Sequence, residues 1–152
     1  MTLQNLLAIR RLQVHVADAV AVRKLLAAAQ RNLSDARVDA VSPDNRFDAA
    51  YKCIMQCAML GLWANGYRAS TNQPGHHQTM IQALPLTLSV DRGTMVVLDG
   101  LRKQRNVSDY EGDPVSAAVL AACIAEADKL LTNTRAWLRK HRRDLLEAEQ
   151  GD

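Results

Sequence analysis

Residues 42–66 read SPDNRFDAAYKCIMQCAMLGLWANG, and this stretch decides the fold. Ser42-Pro43 has the form of an N-cap followed by a first helical residue. The hydroxyl can accept from a free first-turn amide, and the N–H that proline lacks would be unpaired there in any case. Phe47, Ala50, Ile54, Cys57 and Gly61 then recur at spacings of 3, 4, 3 and 4. Tyr51, Met55, Ala58 and Leu62 make a second apolar stripe. A helix that is apolar on two sides needs neighbours on two sides, as the central member of a bundle has. Asn65-Gly66 is a stop signal, because glycine readily takes the left-handed conformation that ends a helix. The expected helix spans residues 44–65.

Upstream, no glycine or proline occurs between Met1 and Ser42. A short helix is expected over residues 2–12, then a β-branched, weakly helical stretch over 13–17. Asp18 is placed to cap a second helix whose apolar positions Val22, Leu26, Ala29 and Leu33 follow the helical period. Val14, Val16, Val20 and Val22 also alternate as a strand would. No second candidate strand lies nearby to pair with them, so the helical reading is preferred.

Downstream, residues 67–75 read as a polar loop, and Pro74-Gly75 opens a helix at about His76, with Ile81 and Leu84 on its inner face. Pro85 should kink or end it. Asp91-Arg92-Gly93 reads as a turn before a helix over residues 94–110 that tolerates Gly100. Asp113 and Pro114 are placed as N-cap and N1 of a last helix. Leu120, Ile124, Ala127, Leu131, Thr134 and Leu138 give that helix a bundle seam. The expected architecture is all-α without any sheet: an up-and-down bundle of four principal helices after a short N-terminal one. It forms a single domain over residues 1–152.

Composition agrees with an ordinary globule. The chain has 152 residues, 48% hydrophobic and 23% charged, enough for one core. No basic-start, apolar, small-residue leader pattern is visible, and the uncharged run 53–67 is too short and too polar for a bilayer. The expected location is the cytoplasm, without membrane association. Net charge is +3, which permits an anionic partner without requiring one. The cations cluster, however: Arg102, Lys103 and Arg105 in one group, and Arg135, Arg139, Lys140, Arg142 and Arg143 in another. The simplest reading of the second group is a solvated helix end, where cations complement the dipole and Glu147 and Glu149 supply partners. Cys53, Cys57 and Cys123 are an odd set with no disulfide framework, and read as small buried hydrophobes.

The chemistry concentrates in residues 101–110, LRKQRNVSDY. At about 100° per residue, Arg105, Asp109, Arg102, Asn106 and Tyr110 share one helical face. Two guanidiniums, a carboxamide, a carboxylate and a phenol could hold a phosphate or a nucleotide. They could equally form a paired polar surface, Arg105 with Asp109 and Asn106 with Tyr110. There is no Gly-rich phosphate loop, no Ser or Cys nucleophile motif and no metal-ligand spacing. His76 and His77 diverge by about 100° on a helix, so they do not share one ion without backbone help. Neither a metal nor another cofactor is expected.

Arg105-Asn106-x-x-x-Tyr110 on the penultimate long helix resembles the HEPN superfamily, the nucleotide-binding domain of higher eukaryotes and prokaryotes. Arg46-Phe47-Asp48-x-Ala50-Tyr51, Ala64-Asn65-Gly66-Tyr67-Arg68, Pro74-Gly75-His76-His77 and Leu101-Arg102-x-Gln104-Arg105-Asn106-x-x-Asp109-Tyr110 are similar to a small bacterial branch of it that is sometimes labelled DNA-binding. The resemblance covers residues 18–138, the expected core. It implies a helical bundle, commonly a homodimer, and a phosphate-binding face built from Arg102, Arg105, Asn106, Asp109 and Tyr110. Tyr67, Arg68, His76 and His77 would stand behind that face. Many members cleave RNA without metal, using an arginine, a polar residue and a histidine four to six residues on. Here that position is Tyr110. A phenol, with its pKa near ~10, is a poor general base at neutral pH, whereas imidazole near ~6.5 suits the task.

The resemblance therefore implies a binder of RNA, DNA or a free nucleotide more than an enzyme, and no catalytic residue is assigned. Two alternatives stay open. One is a toxin-type endoribonuclease whose imidazole comes from His76 or His77. The other is an interaction partner of a nucleotidyltransferase or an antitoxin.

Overall fold

In the computed structural model the described residues are 1–147, without the side chain of Tyr110. The chain is mostly helical. In order it runs α1 (Leu3–Ala8), β1 (Leu12–Val14), α2 (Ala19–Ala36), α3 (Pro43–Ala64), β2 (Tyr67–Ala69), α4 (His76–Gln82), α5 (Leu84–Thr87), α6 (Arg92–Glu111), α7 (Ala117–His141) and a 3-10 turn, Arg143–Leu145. No helix among the described residues is long and apolar enough to cross a membrane.

Several caps follow directly from the residues. The Asp18 carboxylate accepts from the Val20 amide at 3.2 Å and opens α2. Ser42 accepts from the Asn45 amide at 3.3 Å and opens α3, with Pro43 in the first turn. Each satisfies an amide that the helix start leaves unpaired.

The expectation of a fold without a sheet is corrected. β1 and β2 form an antiparallel pair with Leu12 opposite Ala69, Gln13 opposite Arg68 and Val14 opposite Tyr67. Arg10 takes a left-handed φ of 63°, ends the first helix early and turns the chain into β1. Gly66, at φ 92°, turns the end of α3 into β2. The partner strand was hidden because it lies far along the chain, in a segment that reads as polar loop. Val14 and Val16 are exposed, so the valine alternation does not mark a buried strand face. Leu12, only 2% exposed, is the residue that ties the pair to the core.

Two other boundaries differ. Asp91 does not sit in a free turn but caps α6, accepting from the amide of Thr94 at 2.7 Å. The last helix starts at Ala117 with Ser116 as its cap, not at Asp113-Pro114. The physical reason is tertiary. The Val115 amide donates to Asp44 Oδ1 at 2.9 Å, and Val115 is buried, so residues 112–116 cross to the start of α3 before the helix can begin.

α3 is the central helix, packed between α2 and α7. α2 buries Val22, Leu26, Ala29 and Leu33 against it, and α7 buries Leu120, Cys123, Ala127, Leu131, Thr134 and Leu138. All three cysteines are free and buried. α6 is held differently, largely through α4 and the edge of α3. Among the described side chains of α6 only Leu98 and Leu101 are buried, while Val96, Val97 and Val107 face solvent. One contiguous core results, and it extends outward to Leu6, Leu12 and Leu145.

The basic end of α7 is only partly the solvated surface it was expected to be. Arg139, Lys140 and Arg143 are exposed. Arg142 instead donates to the Ala64 carbonyl at 2.7 Å and pairs with Asp144 through two contacts of 3.1 and 3.0 Å. It thereby satisfies a carbonyl at the end of α3 and latches the last turn to the central helix. Glu149 lies outside the described residues. Arg142→Ala should lower unfolding free energy by about 1–2 kcal/mol, the value of a charge-assisted hydrogen bond at a half-exposed site. Arg139→Ala should change it by less than about 0.5 kcal/mol. Urea unfolding of both variants checks the contrast.

Candidate functional site

The inner face of α6 continues past its last buried leucine as a polar surface. Leu98 and Leu101 are buried, and the same side then carries Arg102, Arg105, Ser108 and Asp109 toward α3 and α4. The five residues expected on one face therefore divide. Arg102, Arg105 and Asp109 meet protein partners, Asn106 is exposed, and the side chain of Tyr110 lies outside the described residues.

Arg105 is the centre of the cluster. Its Nε lies 3.7 Å from Asp48 Oδ1 on α3, and its Nη2 lies 3.5 Å from Asp109 Oδ2 one turn ahead. Its guanidinium carbon sits 5.1 Å from the centroid of the Tyr51 ring, within cation–π range. The Arg105–Asp109 pair is thus present as the i,i+4 rule anticipates. Both carboxylate contacts exceed the usual ~2.7–3.2 Å of an N–H···O bond. Electrostatics orient the guanidinium, and its hydrogen-bond fork is not saturated by them. Arg102 is more firmly committed. Its Nε donates to Asp99 Oδ1 at 2.8 Å with both side chains 16% exposed, and Lys103 reaches the same carboxylate at 3.6 Å.

Tyr51 links this cluster to α4. Its hydroxyl lies 3.1 Å from His77 Nδ1, and the His76 and His77 rings meet edge to face at 4.6 Å. The structure thus brings an imidazole into the neighbourhood of Arg105, through a tyrosine from a third element. Tyr67 and Arg68 lie on β2 and make no hydrogen bond or ion pair with this cluster among the described residues; Tyr67 is half-buried and Arg68 exposed. Arg68, His76 and His77 border a cavity of about 330 Å³ whose apolar wall includes Met55, Trp63 and Met80.

The titratable groups respond to burial first. Burial holds the Asp48 carboxyl above its ordinary value, and the neighbouring Asp109 charge adds to this against the pull of Arg105. Burial pushes the Tyr51 phenol up to about 12, offset in part by Arg105 and Arg102, so Tyr51 is a neutral hydrogen-bonding group at any working pH. Burial also lowers His77, and His76, Arg105 and Arg102 lower it further. His77 is therefore neutral at pH 7, with one ring nitrogen on Tyr51.

Because its folded pKa is depressed below the ordinary 6.5, the unfolded state takes up a proton first. The stability that His77 contributes is present above pH 6.5 and is lost as pH falls below it. A proton-detected titration of the folded protein should place the His77 midpoint below 6.5, and His77→Gln should flatten the stability profile in that window. A midpoint at or above the ordinary value would show that the ring is solvated.

Asp48 and Tyr51 were not singled out as site residues from sequence. Their signal was present: a carboxylate and a polar-tipped aromatic three residues apart on one helix, Asp48 and Tyr51. Only the docking of α6 across that flank says what they face.

No protein-family model, curated protein or solved structure matches this chain, so the site rests on its own geometry and on the sequence motifs that point to it.

Proposed function

We propose that this chain is a HEPN-type up-and-down bundle that binds phosphate esters, as a nucleotide or as RNA or DNA, at the Arg105 cluster where α6 meets α3. The observation that carries this reading is the Arg105 guanidinium, which makes no hydrogen bond among the described residues. It is held over Tyr51 at 5.1 Å but hydrogen-bonded by neither of its carboxylate neighbours, which stand at 3.7 and 3.5 Å. A guanidinium in that state keeps a planar fork of donors, stays charged at any relevant pH and matches two phosphate oxygens. Arg102 assists by its charge, Asn106 supplies an exposed carboxamide at the rim, and Tyr51 fixes the guanidinium plane.

The two carboxylates compete with a bound phosphate, and this gives a direct test. Asp48→Asn removes one competitor without changing shape. A partly exposed ion pair contributes about 0.2–1 kcal/mol, so affinity for a labelled RNA oligonucleotide or a nucleotide should rise by about 1.5- to 5-fold. Weaker binding in Asp48→Asn, measured by fluorescence anisotropy at fixed salt, would count against Arg105 as the phosphate contact.

A second reading, metal-independent RNA cleavage, is favoured by the neutral His77 beside Tyr51 and Arg105. His77 would take the role that Tyr110 cannot fill. Incubation with RNA in EDTA decides between the two: cleavage that His77→Ala stops supports catalysis, and tight binding without cleavage supports the first reading. The same proposal includes a homodimer. Val96, Gly100, Lys103 and Val107 line the solvent side of α6 at spacings of 4, 3 and 4, and Val96 and Val107 are 63% and 42% exposed. Sedimentation of the wild type against Val96→Glu tests it. Docking to a nucleotidyltransferase or an antitoxin would use the same exposed face.

A further inference from the structure

We propose that the cavity between α3, β2 and α4 binds a small aromatic anion, a planar apolar body carrying one acidic group. The cavity measures about 330 Å³, at the low end of the ~300–1,000 Å³ typical of small-molecule clefts. That volume suits a bicyclic ring system. Three of the five methionines in the chain line it: Met55, Met59 and Met80. Thioethers are polarizable and adapt their rotamers to a flat ring, which they contact favourably at its edge. Trp63 adds an aromatic wall, itself backed by the His15 ring at 5.3 Å.

The rim supplies the charge. Arg68 of β2 borders the cavity, is exposed, and has no ion-pair or side-chain hydrogen-bond partner among the described residues. An unpaired guanidinium at the mouth of an apolar cavity is complementary to a carboxylate or sulfonate, with which it can form two parallel hydrogen bonds. The β1–β2 pair positions it, since Arg68 stands opposite Gln13 in the register. Arg11, just before β1, donates from Nη1 to the Pro74 carbonyl at 3.4 Å and ties the loop after β2 to the start of the strand pair. The local sheet thus places a cation over an apolar floor built by α3 and α4. His76 and His77 complete the lining, and His77 also holds the Tyr51 hydroxyl at 3.1 Å, so the cavity shares a wall with the Arg105 cluster while Arg105 itself does not line it.

The experiment uses the full chain in a Trp137→Phe background, which leaves Trp63 as the reporter. The probes are 8-anilinonaphthalene-1-sulfonate, the uncharged N-phenyl-1-naphthylamine of the same ring set, and 2-naphthoate as a competitor. Expected are saturable one-to-one binding of the sulfonate with quenching of Trp63, and its displacement by 2-naphthoate. Arg68→Ala should weaken both anions about tenfold, the scale of one lost charge-assisted hydrogen bond, while leaving the neutral probe within about twofold. Met59→Trp, read by calorimetry, should abolish binding of all three by filling the cavity. Arg105→Ala should change none of them.

Four outcomes would overturn the proposal. They are unsaturable binding; equal weakening of charged and neutral probes by Arg68→Ala; unchanged binding in Met59→Trp with native circular dichroism; and loss of the sulfonate in Arg105→Ala. The Arg68 variant is a surface change, so the charge test remains readable even if the Met59 variant does not fold.

Discussion

Arg105→Ala is expected to weaken nucleotide or RNA binding by about 10- to 100-fold while leaving the helical content unchanged. The magnitude follows from losing a charge-assisted, forked contact, at about 1.5–3 kcal/mol. Helicity should persist because Arg105 gives the fold little. Its carboxylate contacts are long and its side chain is 33% exposed. Its cation–π contact contributes about 0.5–1 kcal/mol at such a site. Removing it also leaves Asp48 and Asp109 facing each other without their shared cation, so Asp48 should titrate still higher than it does in the parent. Arg105→Lys retains the charge but not the planar fork, and should recover only part of the affinity. Anisotropy titrations at two salt concentrations, with circular dichroism on the same samples, check both halves. Parent-like affinity in Arg105→Ala would remove the central element of the proposed function.

The second large effect is a contrast between two glycines in helix interiors. Gly61→Ala should destabilise the protein and Gly100→Ala should stabilise it, although the chemical change is the same. A Cβ on Gly61 would stand 2.8 Å from Thr87 Oγ1 and 2.9 Å from Leu88 Cγ, both on the buried approach of α5 to α3. Overpacking of this kind costs about 1–3 kcal/mol, lowering Tm by roughly 2–4 °C per kcal/mol for a chain of this size. A Cβ on Gly100 meets nothing within 4 Å. There the helix propensity of alanine acts alone, for a gain of about 0.5–1 kcal/mol. Thermal unfolding of the two variants should bracket the parent. A Gly61→Ala protein at least as stable as the parent would mean that α5 can move away from α3 at little cost.

The site illustrates how far local pattern reaches. The Arg105–Asp109 pair is an i,i+4 relation on one helix and can be read from residue spacing alone. Asp48 and Tyr51 could be placed on α3 but not opposite Arg105, because no periodicity states which flank of α3 receives α6. His77 presents the same problem. Its proximity to Arg105 depends on α4 lying between α3 and α6, and on the Tyr51 hydroxyl bridging the gap. Arg142 looks like one of several cations at a helix end. It becomes a latch only because that end lies against the last carbonyls of α3.

The mainly helical class, the central position of α3, the caps at Asp18 and Ser42, the stop at Gly66 and the arginine-bearing helix are all legible in the residue pattern. These are local matters: backbone hydrogen bonds within a few residues, side-chain periodicity, and the conformational limits of glycine and proline. The tertiary structure alone decided that residues 12–14 and 67–69 pair as strands and that α7 waits until Ala117. It also decided that Arg105, Tyr51 and His77 meet and that Arg68 comes to stand over a methionine-lined cavity. Each of these depends on groups distant along the chain, whose hydrogen bonds and apolar contacts form only once the core has fixed where the helices lie.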